Sequence, residues 1–285
     1  MITAIVNPAA GSGAARRRWP AAERLLTERL GPVQVYFTKA PGHATVLARE
    51  LAGSELTIVA GGDGTLNEVV NGGAARIAVL PLASGGDFAR MLGLGSVAAA
   101  VERIGGGRSR PVDLFRARFQ GTSRLFLNAA SFGLGATAAE RARSLPGWLR
   151  GRARYLTAAV PTLSAGRAFR VSVWVDDQAV GTFDITTAAV CNGQYQGGGI
   201  RIAPQAVLDD GMVDVTVVEL VSLAEVTRRL PILYNGAIYS HPQVRHWRGR
   251  RVRVEGDAPL ELDGEVVGAL PVEIEAAGTV EIVGG

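Results

Sequence analysis

The chain has 285 residues, 47% hydrophobic and 20% charged, a balance that builds packed cores and excludes a disordered or low-complexity protein. No apolar run reaches the roughly 18 residues a membrane-spanning helix needs. Net charge is +4, carried almost wholly by arginine; this suits a polyphosphate or an anionic membrane surface. Nucleic acid is not an expected partner, because no zinc-finger spacing, RNA-binding signature or long basic run with interleaved aromatics is present.

The start, Met1-Ile2-Thr3-Ala4-Ile5-Val6, enters a strand at once and lacks the basic region of a signal peptide. With a single cysteine, Cys191, in an apolar strand, no internal disulfide forms and a cytoplasmic location is expected. Asn7-Pro8-Ala9-Ala10-Gly11-Ser12-Gly13 follows the first strand and opens a helix from about Ala14 to Leu30. It is not a Walker loop, since no Gly-Lys-Ser/Thr follows. A second strand, Val33 to Phe37, places Thr38 at its carboxyl end, and a helix runs from about His43 to Leu51. The run Leu56-Thr57-Ile58-Val59 reads as a buried strand. It leads into Ala60-Gly61-Gly62-Asp63-Gly64-Thr65-Leu66-Asn67-Glu68-Val69-Val70-Asn71-Gly72. Glycines there let the backbone approach a ligand closely, and successive N–H groups at a helix start favour phosphate. Thr65 and Glu68 have the spacing of a capping box. A fourth strand, Arg76 to Leu82, ends in Pro81-Leu82-Ala83-Ser84-Gly85-Gly86-Asp87-Phe88-Ala89-Arg90, where Asp87 and Arg90 read as a surface i, i+3 pair. Alternating strands and helices of these lengths predict a doubly wound parallel sheet, with ligands beyond the carboxyl ends of its strands.

After the run Gly105-Gly106-Gly107 the pattern changes to short, alternating strands. This predicts a second, antiparallel β-sandwich-like domain with inserted helices. The domains expected are 1–112 and 113–277, with a strand near 278–285 returning to the first. Two inserts, from Ser144 to about Leu163 and from Leu223 to Tyr239, mix arginine, aromatic and aliphatic residues. Both core packing and contact with a membrane surface fit that mixture. Asp209-Asp210-Gly211 by itself is a turn, and Asp263-Gly264 is the tip of a hairpin. His43, His241 and His246 show no metal spacing and read as surface residues.

GGDGTLNEVVNG, together with the loops at Asn7 and Pro81, the Gly197-Gly198-Gly199 to Asp214 stretch and Asp263-Gly264-Glu265, resembles the diacylglycerol kinase catalytic domain family. That family includes soluble bacterial diacylglycerol kinases and relatives of sphingosine and ceramide kinases. The blocks fall in family order along nearly the whole chain. The resemblance implies ATP-dependent phosphoryl transfer to a lipid hydroxyl, most typically that of diacylglycerol, in a cleft between two domains. It implies nucleotide contacts from Asn7, Thr38, Gly61, Gly62, Asp63, Gly64, Thr65, Asn67, Glu68, Ser84 and Gly85. Asp63 would orient metal or water, and Glu265 is the general-base candidate, although Asp63 holds that role in some relatives. Mg2+ would accompany ATP, and a structural Mg2+ would take Asp210, the carbonyls of Val207 and Met212, and organisation by Asp113. Two departures from the family pattern stand out: Ala83 replaces a glycine and Gly86 an asparagine. A NAD kinase-like phosphotransferase, which shares the GGDGT loop, and a non-catalytic nucleotide or lipid binder remain as alternatives. Exposed sheet edges leave a homodimer open.

Overall fold

The computed structural model describes residues 1–285 other than Ser84, Gly85, 146–148 and Arg150. Two compact units are present, Met1–Val112 with Thr279–Gly285, and Asp113–Gly278.

In chain order the first unit contains β1 (Ile2–Val6), α1 (Ala10–Leu30), β2 (Gln34–Phe37), α2 (His43–Glu50), β3 (Leu56–Ala60), α3 (Asp63–Asn71), β4 (Arg76–Leu80), α4 (Asp87–Met91) and α5 (Val97–Gly105). The strands pair in parallel as β2-β1-β3-β4, and residues Glu281–Val283 add beside β4, also in parallel. Buried parallel strands need apolar side chains on both faces. β3 is accordingly buried at all five positions, and β1 and β4 at four each. The carboxyl ends of β1 to β4 therefore share one edge, and the loops at Asn7, Thr38, Gly61 and Pro81 lie along it. The regular part of α1 begins at Ala14, because Gly11, Ser12 and Gly13 all take left-handed φ angles. Helices α2 and α3 approach so closely at Gly72 that a Cβ there would lie 2.5 Å from that of Ala48.

The second unit continues with β5 (Ser109–Phe119, which begins in the first unit), β6 (Thr122–Phe126), β7 (Ala129–Gly133), α6 (Leu134–Ser144), α7 (Gly151–Ser164), β8 (Phe169–Val175), β9 (Gln178–Cys191), β10 (Val213–Glu219), α8 (Leu223–Arg228), α9 (Ile232–Asn235), β11 (Val244–Gly249), β12 (Arg251–Gly256), β13 (Pro259–Leu262), β14 (Glu265–Ala269) and β15 (Val272–Val283, whose end rejoins the first unit). Antiparallel pairing runs β14-β13-β7-β9-β8-β12-β15, and β10 joins β9 to β11. Its core packs Phe115, Phe126, Phe132, Val171, Val215 and Val252. Each such side chain contributes about 1.5–3 kcal/mol when fully buried.

Several expectations need correction. β7 and β11 are strands that the pattern does not announce. The 223–239 insert is two short helices and a 3-10 turn rather than one helix. His241 is buried, not a surface residue. The second half of the other insert is helical, but 146–148 and Arg150 of it fall outside the described residues.

Candidate functional site

At the edge of the first sheet, β1 and β3 end side by side and their loops are tied together. Asn7 Nδ2 donates to Thr65 Oγ1 at 3.0 Å, while Asn7 Oδ1 accepts from the N–H of Ala9. Gly61 is required here: a Cβ would sit 2.6 Å from Thr65 Oγ1. The N-cap of α3 is Gly62, with no side-chain cap. Thr65 and Glu68 thus do not form the expected capping box. Instead the Glu68 carboxylate reaches α2, accepting from the N–H groups of Gly42 at 2.9 Å and Ala44 at 3.0 Å. A carboxylate placed there satisfies orphan donors and complements the helix dipole.

Asp63 acts similarly toward α4. Its Oδ2 accepts from the N–H of Asp87 at 2.8 Å and its Oδ1 from that of Phe88 at 3.3 Å. The acidic residue of the glycine loop therefore fastens that loop to the one after β4. Asp87 is buried, not on the surface as its spacing to Arg90 implied. Asn67 is fully buried and braced by Asn71. The N–H of Thr38 continues the pairing with Val6 beyond the end of β2. Gly64 lies in the first turn of α3. Ser84 and Gly85 lie outside the described residues. Ala83 packs against the first loop, since a Cβ on Gly11 would lie 3.1 Å from its Cα. A cleft of about 490 Å³ opens beside these loops, lined by Arg18, Pro81, Ala83, Gly86 and Arg90 among others.

In the second unit the Asp263-Gly264 hairpin joins β13 to β14. Asp263 has left-handed φ (47°), which aspartate tolerates better than most residues. Its carboxylate accepts three N–H groups, from Leu127, Asn128 and Ala129, at 2.9–3.0 Å. The turn is so anchored to the loop before β7. Glu265, the next residue after the turn, pairs with Arg124 at 2.6 Å, each side chain about a quarter exposed.

Behind the turn lies Glu261, which sequence reasoning missed. It is 2% exposed and accepts from Ser131 Oγ, from the N–H of Gly264 and, at 2.9 Å, from Gln196 Nε2. Burial pushes its carboxyl above the usual range despite these donors. Strand alternation would have set Glu261 opposite Leu260 and Leu262, toward solvent. Both faces are covered here, so no periodic signal marks it.

Gln196 also lines an apolar cavity of about 120 Å³ within the second unit. Its walls are aliphatic, including Leu134, Leu163, Val218, Val226, Leu233 and Ile238. At its polar margin Glu225 meets His241 Nε2 at 3.2 Å and Arg229 Nε at 2.7 Å.

The Asp209-Asp210-Gly211 turn is closed by protein groups. Asp210 Oδ1 accepts from the N–H of Met212 at 3.0 Å, and its Oδ2 pairs with Arg248. Asp113 Oδ2 accepts from the N–H of Gly211 at 2.7 Å. Val207 is exposed. Both Asp210 oxygens are engaged, and among the described residues no group of three or more His, Cys, Asp or Glu is placed to hold a metal. A site of one carboxylate and main-chain carbonyls, the set that Asp210, Val207 and Met212 would supply, is of a different kind: its oxygen donors are those Mg2+ takes, with Arg248 here beside the carboxylate.

Glycine loops at the carboxyl edge of an α/β sheet are of the kind that receives phosphate groups. Comparison with known proteins supplies the family. Residues 1–117 match the diacylglycerol kinase catalytic domain, and 128–283 the YegS C-terminal NAD kinase beta sandwich-like domain. The chain is 30% identical over 284 residues to a diacylglycerol kinase of Mycobacterium tuberculosis, covering 96% of this chain and 92% of that one. It is 31% identical over 252 residues to a diacylglycerol kinase of Bacillus subtilis, covering 84% and 80%. A crystal structure of a diacylglycerol kinase from Bacillus anthracis superposes with a TM-score of 0.74 at 25% identity, covering 99% and 96%. An NAD kinase from Archaeoglobus fulgidus in complex with ATP shares the fold alone, at a TM-score of 0.51 and 15% identity. The chain belongs to the diacylglycerol kinase family of lipid kinases, enzymes that use ATP. Among the described residues no helix is long and apolar enough to cross a membrane.

Proposed function

We propose that the protein transfers the γ-phosphoryl group of ATP, taken as its magnesium complex, to the hydroxyl of a lipid. Diacylglycerol is the acceptor to which the relatives' names point. The observation that carries the reading is the cavity of the second unit: a recess walled by aliphatic side chains with a few polar groups at its margin, which at about 120 Å³ receives part of an acyl chain.

In this reading the glycine-loop N–H groups after β1 and β3 and the start of α3 receive the phosphates, with Asn7, Thr38 and Thr65 ordering those loops. Asp63 holds the glycine loop against the α4 start. Glu265 accepts the hydroxyl proton while the lipid oxygen bonds to the γ-phosphorus and the bond to the ADP oxygen breaks. Arg124 holds Glu265 through Oε2, which leaves Oε1 to take the proton. The protein meets its acceptor at a membrane surface, where its arginine-rich charge favours anionic lipid.

The test is transfer of labelled phosphate from ATP to a total lipid extract by the purified protein, followed by identification of the product. Labelled phosphatidic acid is the expected result. Folded, ATP-binding protein that labels no lipid would overturn the proposal, and labelling of NAD in its place would move the protein to the other phosphotransferase class.

A further inference from the structure

The buried carboxylate of Glu261 stands between two features that the proposed reaction treats separately. On one side Gln196, a cavity-lining residue, donates to Glu261 Oε2. On the other, Glu261 Oε1 takes the N–H of Gly264, the residue immediately before Glu265. Ser131 Oγ completes the set. A carboxylate removed from water is costly unless its oxygens keep their donors. Anything that moves the Gln196 amide therefore presses on Glu261, whose other oxygen holds the Gly264 amide. Gly264 has a left-handed φ, and with no side chain its backbone can change conformation at little steric cost. Asp263, by contrast, is pinned by three N–H groups. Displacement thus passes to the Gly264–Glu265 side of the turn.

We propose that Glu261 is a positioning residue, which passes occupancy of the cavity, felt through Gln196, to the Gly264 amide and so to the Glu265 carboxylate. The inference rests on the cavity being the acceptor site. A chain seated against Gln196 sets Glu265 for proton transfer, and an empty cavity leaves it held by Arg124. The acceptor would thereby limit loss of ATP to water.

The test uses the full chain, as wild type and as Gln196→Leu, Glu261→Gln and Glu261→Leu, with 1,2-dioctanoylglycerol as probe. Three quantities are read: kcat and KM for phosphorylation of the probe, and deuterium exchange of the 259–268 segment with and without it. The probe is expected to slow exchange of that segment in the wild type and not in Gln196→Leu. Gln196→Leu and Glu261→Leu should lower kcat by roughly 10- to 100-fold, as a misplacement of about 1 Å does, with KM within about 3-fold of wild type. Glu261→Gln, which keeps an acceptor for Gly264, should recover most of kcat. A rise in KM alone, or an exchange response in Gln196→Leu equal to the wild type's, overturns the link. If Glu261→Leu does not fold, the other two variants decide the matter. Should the wild type leave the probe unphosphorylated while exchange still responds through Gln196, the link stands and the acceptor reading falls. Phosphorylation without any exchange response leaves the acceptor reading and removes the link. Absence of both removes both.

Discussion

Two carboxylates of the Asp-Gly-Glu hairpin region divide the work of burial and exposure. Glu265 is partly exposed and paired with Arg124; Glu261 is sealed beneath the turn. Glu265→Gln keeps the size and a hydrogen bond to Arg124 but loses basicity. It should lower kcat by about 10²- to 10⁴-fold, the usual worth of a general base, with ATP affinity unchanged. Steady-state kinetics beside calorimetric titration with nucleotide check this. Glu261 makes a different prediction. Its folded-state pKa is raised by burial, so the native protein binds more protons than the unfolded chain once pH exceeds the ordinary glutamate value of about 4.3. Stability should then fall as pH rises from there through the raised native value, and level off above it. Glu261→Gln should flatten that part of the profile, as measured by urea unfolding at a series of pH values.

At the scale of elements, Glu68 shows how one helix completes another. By accepting the Gly42 and Ala44 N–H groups it ties α3 to the start of α2. Glu68→Ala should cost about 1–2 kcal/mol, the loss of a helix cap, read as a lower denaturation midpoint. The element order of the first unit was legible because β1, β3 and β4 are runs of aliphatic residues broken by glycine turns. The glycine loops were legible for the same reason, since they stand where strands end. Partnerships were not. Glu68 sits three residues after Thr65, yet its bonds go to a helix some twenty residues earlier, and no local spacing encodes that. In the second unit β7, Ala-Ala-Ser-Phe-Gly, is small and lacks alternation because both its faces are buried. β11 is disguised by Arg245, His246 and Arg248, which read as loop. Pro231 divides the apolar pattern of 223–239, ending one helix before another begins. The hairpin tip at Asp263 was legible from Asp-Gly alone, but the three N–H groups that hold it come from the far side of the sequence.

At the scale of the whole molecule, the chain leaves its first unit at Val112 and returns to it at Thr279. The returning residues pair Ile282 with Ile77, bury Val280 and Ile282, and join Glu281 to Arg76 at 3.1 Å and to Ser109 at 2.8 Å. Removing residues 279–285 should leave β4 as an open, apolar edge, a site for aggregation. We expect earlier melting and light scattering on heating, and recovery if the seven residues are restored through a linker attached to residue 112.

That returning strand also bears on how the protein is made. β4 leaves the ribosome early, but its neighbour in the sheet is translated roughly two hundred residues later, a contact of very long range in sequence. For that interval the nascent first unit carries an unfinished border, and a chaperone that shields extended apolar backbone would find its target there until residues 281–283 emerge.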